Sequence, residues 1–134
     1  MGAPLELPVP ASCRYCAGEV HLVSNAVVFG RPYGRWPNIY LCRQCSAYVG
    51  THPGTAIPLG TLADTKTRQA RKLAHASFDS LWRDGRMTRS AAYRWLANAM
   101  GLAKAQCHIA LFEAAQCARV VELCRGLSGE KPLF

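Results

Sequence analysis

Two pairs of cysteines constrain the fold of this chain more than any other feature of its sequence. Cys13 and Cys16 are separated by two residues, as are Cys42 and Cys45, and the second pair begins 26 positions after the first pair ends. A two-residue gap lets one tight turn direct both sulfurs at the same point, and four thiolates suit a tetrahedral structural Zn²⁺. The spacing therefore predicts one Cys₄ zinc site. Two disulfides or a redox Cys-x-x-Cys are the alternatives, but the βαβ pattern that accompanies the redox motif is absent.

The predicted site lacks the features of a catalytic one. Four cysteine ligands leave no open coordination position, and no water-activating carboxylate lies beside either pair. The paired His-x-Glu and Pro-Cys-x-x-Cys motifs of zinc deaminases are missing as well. No nucleophile–base pair appears elsewhere. We therefore expect one structural zinc ion, no catalytic residues, no small-molecule substrate and no enzymatic activity.

The hydrophobic pattern predicts strands in the first half of the chain and helices in the second. Residues 19–29 read as two short strands or one hairpin, and strands at 38–41 and 47–49 flank the second cysteine pair. After a Gly/Pro loop at 51–60, Thr61 and Asp64 form a capping box for a helix that ends at Arg83. Thr88 caps a second helix that ends at Gly101, and a third covers about 113–125 with Gly126 as its C-cap.

These elements define the expected fold class and domains. The class is α+β, with an N-terminal Cys₄ zinc ribbon of short antiparallel strands followed by a small three-helix unit. Residues 1–60 would form the ribbon with an extended N-terminal lead-in. Residues 61–134 would form the helical unit and pack against the ribbon, because so few residues make a marginal core by themselves.

The positive charge is concentrated in the helical half. Of the formal net charge of +8, residues 64–134 contribute +6, with twelve basic and six acidic side chains. Four thiolates on Zn²⁺ bring about −2 to the ribbon, which is then nearly neutral. Such a distribution favours a polyanionic partner, nucleic acid first, although a solvated basic face also simply aids solubility.

Two regions are candidates for contact with a partner. The tip of the zinc loop combines aromatic and arginine side chains, which suit base stacking or a protein hot spot equally well. Clustered cations in the helices suit phosphate contacts. About a dozen residues separate the second and third helices, too many for a helix-turn-helix. The predicted binding residues are Arg35, Trp36, Lys66, Arg68, Arg71, Lys72, Arg86, Arg89 and Arg94.

The histidines and the remaining cysteines have both a functional and a packing interpretation. His52, in a His-Pro-Gly-Thr loop, could bind phosphate or act as a base, but a turn is favoured. His75 reads as an interfacial hydrogen-bonding residue. A second metal site is conceivable, but small core thiols are favoured. The residues concerned are His108, Cys107, Cys117 and Cys124.

The predicted compartment is the cytoplasm. Seven cysteines leave three free thiols after zinc ligation, which suits a reducing environment. No apolar run approaches the roughly 18 residues of a membrane span. The segment 1–6 lacks a basic region, so a secretory signal is not expected.

Several motifs along residues 12–125 occur together in a known family. They are Cys13-x-x-Cys16, Tyr48-Val49-Gly50-x-His52-Pro53-Gly54-Thr55, Pro58-Leu59-Gly60-Thr61-Leu62-Ala63, Ala74-His75-x-x-Phe78-Asp79-x-Leu81-Trp82 and Cys107-His108-Ile109. In these the chain resembles the zinc-finger-containing domain family common in bacteriophages and prophages. The resemblance implies zinc ligation by Cys13, Cys16, Cys42 and Cys45. The second pair departs from the wider gap of many members.

Together these observations lead to two functional hypotheses. The first is a non-enzymatic, zinc-stabilised binding module, a nucleic-acid-binding phage-type accessory protein that uses a basic helical face. The alternative is a phage-type modulator or inhibitor that binds a host protein complex through the zinc-ribbon tip or the helical surface. Either would act in the cytoplasm of the host cell.

Overall fold

A computed structural model describes residues 7–32, 34 and 37–127 of the chain. The chain divides between Thr65 and Lys66 into two compact units. The first contains a three-stranded antiparallel sheet and the four-cysteine cluster, and the second contains helices. The predicted α+β class is therefore confirmed. The predicted domains 1–60 and 61–134, with the helical unit packed against the ribbon, stay a prediction.

The ribbon is organised around its central strand. Strands β1 (Val20–Ser24), β2 (Asn38–Cys42) and β3 (Tyr48–Gly50) form an antiparallel sheet in the order β1-β2-β3. Successive side chains of a strand point to opposite faces of the sheet. Residues 39–42 of β2 are all buried, so both of its faces are covered. The strand therefore delivers Cys42 in a fully buried position.

Residues 26–29 form a helical turn, so the prediction of a second strand there is wrong. The turn is α1 (Ala26–Phe29). The carbonyl of the buried Asn25 accepts hydrogen bonds from the amides of Val28 and Phe29, both at 3.0 Å. Gly30, with φ of 77°, ends the turn in the left-handed region. Val27 and Val28 thus occupy a helical turn, and the first amide of the turn, that of Ala26, donates to Ser24 Oγ at 3.1 Å.

The first long helix, α2 (Thr65–Arg83), begins four residues after the predicted cap at Thr61. The amide of Tyr48 donates to the carbonyl of Ala63 at 3.0 Å, and the amide of Ala63 donates back at 3.1 Å. These bonds add Ala63 to the free edge of β3 in an extended conformation, which a helix cannot share. The capping-box prediction is therefore wrong.

The helical unit contains α2, α3 (Arg89–Met100) and α4 (Ala114–Leu127), with short 3₁₀ turns at Lys104–Gln106 and Ile109–Leu111. The hydroxyl of Thr88 accepts from the amide of Ala91 at 3.1 Å, and Gly101 ends α3 in the left-handed region, as predicted. Gly126 lies within α4, so its predicted role as a C-cap is wrong. None of the helices in the described part of the chain is both long and apolar enough to cross a membrane.

The core of the helical unit includes a cation. Arg71 is only 8% exposed, and its Nε donates to the carbonyl of Phe112 at 2.9 Å. Arg71 precedes Ala74, Phe78 and Leu81 on the buried face of α2, at the spacing i, i+3, i+7, i+10. Its predicted place on a contact surface is therefore wrong. The burial of Arg71 was predictable from the hydrophobic spacing, because a residue at that position of the helix faces the core whatever its charge.

We expect Arg71→Ala to destabilise the helical unit. Removing the side chain leaves the Phe112 carbonyl without this donor, at a cost of about 1–3 kcal/mol in the free energy of unfolding. Lys72→Ala is the matched control, because Lys72 is the exposed neighbour on the same helix and should change stability by no more than about 0.5 kcal/mol. Urea unfolding followed by helical circular dichroism measures both. Equal losses in the two variants would contradict a structural role for Arg71.

Candidate metal centre

The two cysteine pairs lie in turns with the same backbone hydrogen bonds. In each turn the amide of the first cysteine donates to the carbonyl five residues later, and the amide four residues later donates to the carbonyl of the first cysteine. The four bonds, of 2.8–3.0 Å, are Cys13 to Gly18, Ala17 to Cys13, Cys42 to Ala47 and Ser46 to Cys42. Because the turns are equivalent, each presents its two sulfurs in the same way.

The four sulfurs are placed for one tetrahedral ion. They all lie within 4.8 Å of one another, and the pairs Cys13–Cys45 and Cys16–Cys42 are each separated by 3.5 Å. A tetrahedron with Zn–S bonds of about 2.3 Å has edges of roughly 3.8 Å, whereas a disulfide is about 2.05 Å long. All four residues are free thiols. The donor set fits zinc, and the alternative of two disulfides is wrong.

Backbone amides point at the sulfurs as well. The amide of Tyr15 donates to Cys13 Sγ at 3.3 Å, that of Gly18 to Cys16 Sγ at 3.4 Å, and that of Cys45 to Cys42 Sγ at 3.5 Å. Such donors stabilise negative charge on sulfur. A β-carbon at position 18 would lie 2.9 Å from Gln44 Cβ and 3.2 Å from Cys16 Sγ. Position 18 therefore requires glycine, because the two turns approach each other too closely for a side chain.

The pKa values of the thiols show that the cluster holds negative charge unevenly. The amides of Cys45 and Gln44 and the neighbouring thiols lower the pKa of Cys42 to about 6. The Gly18 amide also lowers the pKa of Cys16, but desolvation and hydrogen bonds with the other three sulfurs outweigh it and raise the value to about 12. The Ala47 amide and the bond to Cys16 lower the pKa of Cys45, but desolvation and the bonds to Cys13 and Cys42 outweigh them and raise it. A thiolate is favoured at Cys42 and opposed at Cys16 and Cys45, so ionisation of the whole cluster requires a cation.

This arrangement suits a structural ion rather than a catalytic one. When bound, Zn²⁺ supplies the positive charge that four clustered thiolates need. Cys13 and Cys42 are buried and Cys16 is half-buried, while Cys45 is exposed. All four positions of the tetrahedron are taken by protein sulfurs, so none remains for a substrate. The cluster is therefore consistent with one structural zinc ion that joins the two turns.

The other cysteines do not form a second cluster. Within residues 7–32, 34 and 37–127, the Cys₄ set is the one group of three or more potential metal ligands. Cys107, Cys117 and Cys124 lie in the hydrophobic core of the helical unit. Burial raises the pKa of all three thiols, that of Cys124 to about 11. These cysteines are therefore neutral packing residues at physiological pH.

The loop at His52 is a closed turn. The amide of His52 donates to the carbonyl of Ile57 at 2.9 Å, and the hydroxyl of Thr55 donates to the carbonyl of His52, also at 2.9 Å. Gly54 has φ of 73°. These contacts agree with the predicted turn. His75 is exposed, and its Nδ1 lies 3.8 Å from Asp79 Oδ2 within the same helix, so the predicted interfacial role is not seen.

Apart from the buried Arg71, the predicted contact residues fall into three groups. Arg35 and Trp36, with Tyr33, lie outside the described residues. Lys66 and Lys72 are exposed on α2, where Arg68 is half-buried. Three further exposed cations lie around the turn between α2 and α3 and along α3, namely Arg86, Arg89 and Arg94. The prediction omitted Arg83 and Trp82, although an Arg next to Trp, followed within seven residues by two more arginines, was visible in the sequence.

We expect acidification to release the zinc ion and unfold the ribbon in one transition. Metal binding holds the pKa of ligating thiols far below the unfolded value of about 8.5. At pH values above the unfolded-state pKa, metal ligation adds to the free energy of unfolding of the ribbon. This contribution is lost progressively as the pH falls. Zinc release to a colorimetric chelator and the circular dichroism of the ribbon should have the same midpoint.

Cys42→Ser and Cys117→Ala provide the variants for this experiment. Loss of the Cys42 ligand should weaken zinc binding by more than about tenfold and move the midpoint to higher pH. Cys117→Ala removes a buried thiol outside the cluster and should keep one equivalent of zinc. Full zinc occupancy and an unchanged midpoint in Cys42→Ser would contradict the assignment.

Comparison with known families agrees with this geometry. The family model of a zinc-finger-containing domain matches residues 9–127, a range that includes the four cysteines of the cluster and the three long helices. No curated protein and no solved structure matches the chain significantly. The chain belongs to the zinc-finger-containing domain family.

Proposed function

We propose that this protein is a non-enzymatic binding module that contacts nucleic acid through the basic surface of its helical unit, as a phage-type accessory protein in the reducing cytoplasm of its host. The zinc-finger family and the Cys₄ cluster support a zinc-stabilised binding module. The observation that carries the choice of partner is the row of exposed and half-buried cations along α2 and into α3. This basic surface comprises Lys66, Arg68, Lys72, Arg83, Arg86, Arg89 and Arg94.

The basic surface follows the outer face of α2. Arg68 and Lys72 are four residues apart and therefore adjacent on the helix, away from the buried Ala74 and Phe78. Asp79 is the acidic residue of α2, and its Oδ2 lies 3.9 Å from Arg83. Because the cations outnumber the acids, the surface has a positive potential that attracts phosphates.

The surface is built for the sugar–phosphate backbone more than for bases. In the described part of the helical unit, the large hydrophobic residues that are strongly exposed are Leu73 and Leu127, neither of which is aromatic. Base stacking requires exposed aromatic faces. Residues 101–113 separate α3 from α4 and include two 3₁₀ turns, which does not match a helix-turn-helix. Phosphate contacts carry no sequence information, so we propose binding without sequence preference.

Binding of the zinc-loaded protein to nucleic acid should be strongly salt-dependent. About four phosphate contacts to duplex DNA would reduce affinity roughly 100-fold between 50 and 200 mM salt. Fluorescence anisotropy with labelled duplex DNA, single-stranded DNA and RNA of mixed sequence measures this. Lys72→Ala should lower the affinity and the salt slope, whereas its exposed neutral neighbour Leu73→Ala should change neither. Absence of binding to all three probes at low salt would contradict the proposal.

The ribbon favours a second candidate function, the binding of a protein partner. Four apolar side chains of β1 and α1 are strongly exposed: Leu22 at 46%, Val27 at 58%, Val28 at 38% and Phe29 at 45%. Exposed apolar residues grouped in this way are typical of interaction sites. They precede the predicted contact residues Arg35 and Trp36 in the chain. A modulator of a host protein complex could use this part of the ribbon.

Under the second candidate, Phe29→Ser should abolish capture of a host protein. The wild-type protein would retain a stoichiometric partner from host lysate, and the polar substitution would remove the apolar contact. Leu73→Ser is the control, because it removes an even more exposed apolar side chain, 65% against 45% for Phe29, from the helical unit. Mass spectrometry of the captured proteins gives the readout. Equal capture by Phe29→Ser and wild type would contradict this use of the ribbon.

A further inference from the structure

We propose that the phosphate-binding centre of the helical unit is the turn between α2 and α3, where Trp82 positions two arginines for the nucleic-acid backbone. This α2–α3 corner consists of Trp82, Arg83, Arg86, Arg89 and Tyr93. The inference rests on the proposed nucleic-acid function and adds the residues that carry it. The ligand class is the sugar–phosphate backbone that DNA and RNA share.

Two guanidinium groups lie over one indole ring. The Cζ of Arg83 is 5.3 Å from the centroid of the Trp82 ring, and the Cζ of Arg89 is 5.5 Å from the same ring. Arg89 also lies over Tyr93, at 5.2 Å from its centroid. Contacts of this kind between cations and aromatic rings are attractive, most strongly with Trp. The aromatic pair therefore restricts where the two arginines can be.

The aromatic rings are themselves fixed by the core. The Tyr93 ring packs edge-on against the fully buried Phe78, with centroids 4.8 Å apart and an interplanar angle of 66°. Trp82 is half-buried against the same hydrophobic cluster. Its Nε1 is buried without a hydrogen-bond partner in the described part of the chain. Trp82 thus contributes through its faces and its packing, not through its N–H group.

Stacked arginines are well suited to phosphate. When a guanidinium stacks on an aromatic ring, its N–H donors lie in its own plane, along the edge and away from the ring face. A planar fork of this kind can bind two phosphate oxygens at once. Restricting the side chain before binding also reduces the conformational entropy lost on complex formation. A lysine in the same place would keep the positive charge but would lack the planar set of N–H donors.

The charge at the corner is positive. Arg83, Arg86 and Arg89 lie within seven residues, against one acid in that segment, Asp84. The first turn of α3 contains no acidic residue. Asp79 lies 3.9 Å from Arg83 and 3.8 Å from His75, distances at the outer limit for ion pairs, so it only partly offsets the charge of Arg83. The corner therefore combines clustered charge with aromatic support.

Single alanine substitutions at the corner test the location of the centre. The probes are a labelled mixed-sequence DNA duplex and its single strand, with zinc-loaded protein and anisotropy across a range of salt. Each of Arg83→Ala, Arg86→Ala and Arg89→Ala should lower duplex affinity about eightfold at 0.1 M salt and reduce the salt slope by about 0.9. Lys104→Ala removes the same charge from the exposed 3₁₀ turn at 104–106 and should change affinity by less than about twofold.

Two further variants test the positioning role of Trp82. Arg89→Lys keeps the charge and should keep the salt slope, but it should lower affinity about two- to fivefold because the planar stack is lost. Trp82→Phe removes no hydrogen bond, so it should fold normally and lower affinity by a similar factor at an unchanged slope. Zinc content and helical circular dichroism confirm the fold of each variant.

The outcomes separate this inference from the proposed function. Wild-type binding that is unchanged in all three alanine variants would overturn the corner as the centre, while leaving nucleic-acid binding intact. Wild-type affinity in both Arg89→Lys and Trp82→Phe would overturn the positioning role of the indole. Absence of wild-type binding to every probe would contradict the proposed function and this inference with it. A loss in each corner variant, with Lys104→Ala unaffected, is the expected result.

Discussion

The structure of the ribbon depends on the mutual repulsion of four closely spaced thiolates and its relief by a divalent cation. Backbone amides stabilise a negative charge on Cys42, but neighbouring sulfurs and desolvation oppose ionisation of Cys16 and Cys45. Each of the two cysteine turns therefore stabilises part of the negative charge of its thiolates, but not all of it without a metal ion. The ion that meets this need also fixes the separation of the two turns. Because a sheet of three short strands has little core, this crosslink is a large part of what holds the ribbon together.

The helical unit gains its order from a different source. Its core is a contiguous cluster of apolar side chains and neutral thiols, and it also encloses Arg71 through a hydrogen bond to a backbone carbonyl. The same helix thus has one arginine that supports the core and others that remain in solvent. Counting cations along the sequence does not separate these two roles. The position of each cation around the helix axis does separate them. That position therefore decides which cations can contact a partner.

Much of the fold could be predicted from the sequence, since its strongest signals are local. The cysteine spacing and the Thr88 cap each depend on short motifs, and the structure agrees with both. Two of the errors came from contacts between residues distant in sequence. The pairing of Ala63 with Tyr48 moved the start of α2, and the carbonyl of Phe112 drew Arg71 into the core. At the site, the ligands were predictable because zinc chemistry limits their type. The aromatic support at Trp82 was not, because it requires knowledge of how α2 and α3 meet.

The two cysteine turns also place non-glycine residues in the left-handed backbone region. Ala17 and Ser46, each following the second cysteine of its pair, have φ of 64° and 69°. Each such residue costs of order 1 kcal/mol relative to glycine, so the local preference of the chain opposes the turn. Sulfur ligation has to overcome that preference. Consequently closure of the turns and coordination of the ion are energetically coupled, because the free energy of metal binding offsets the cost of the two left-handed residues.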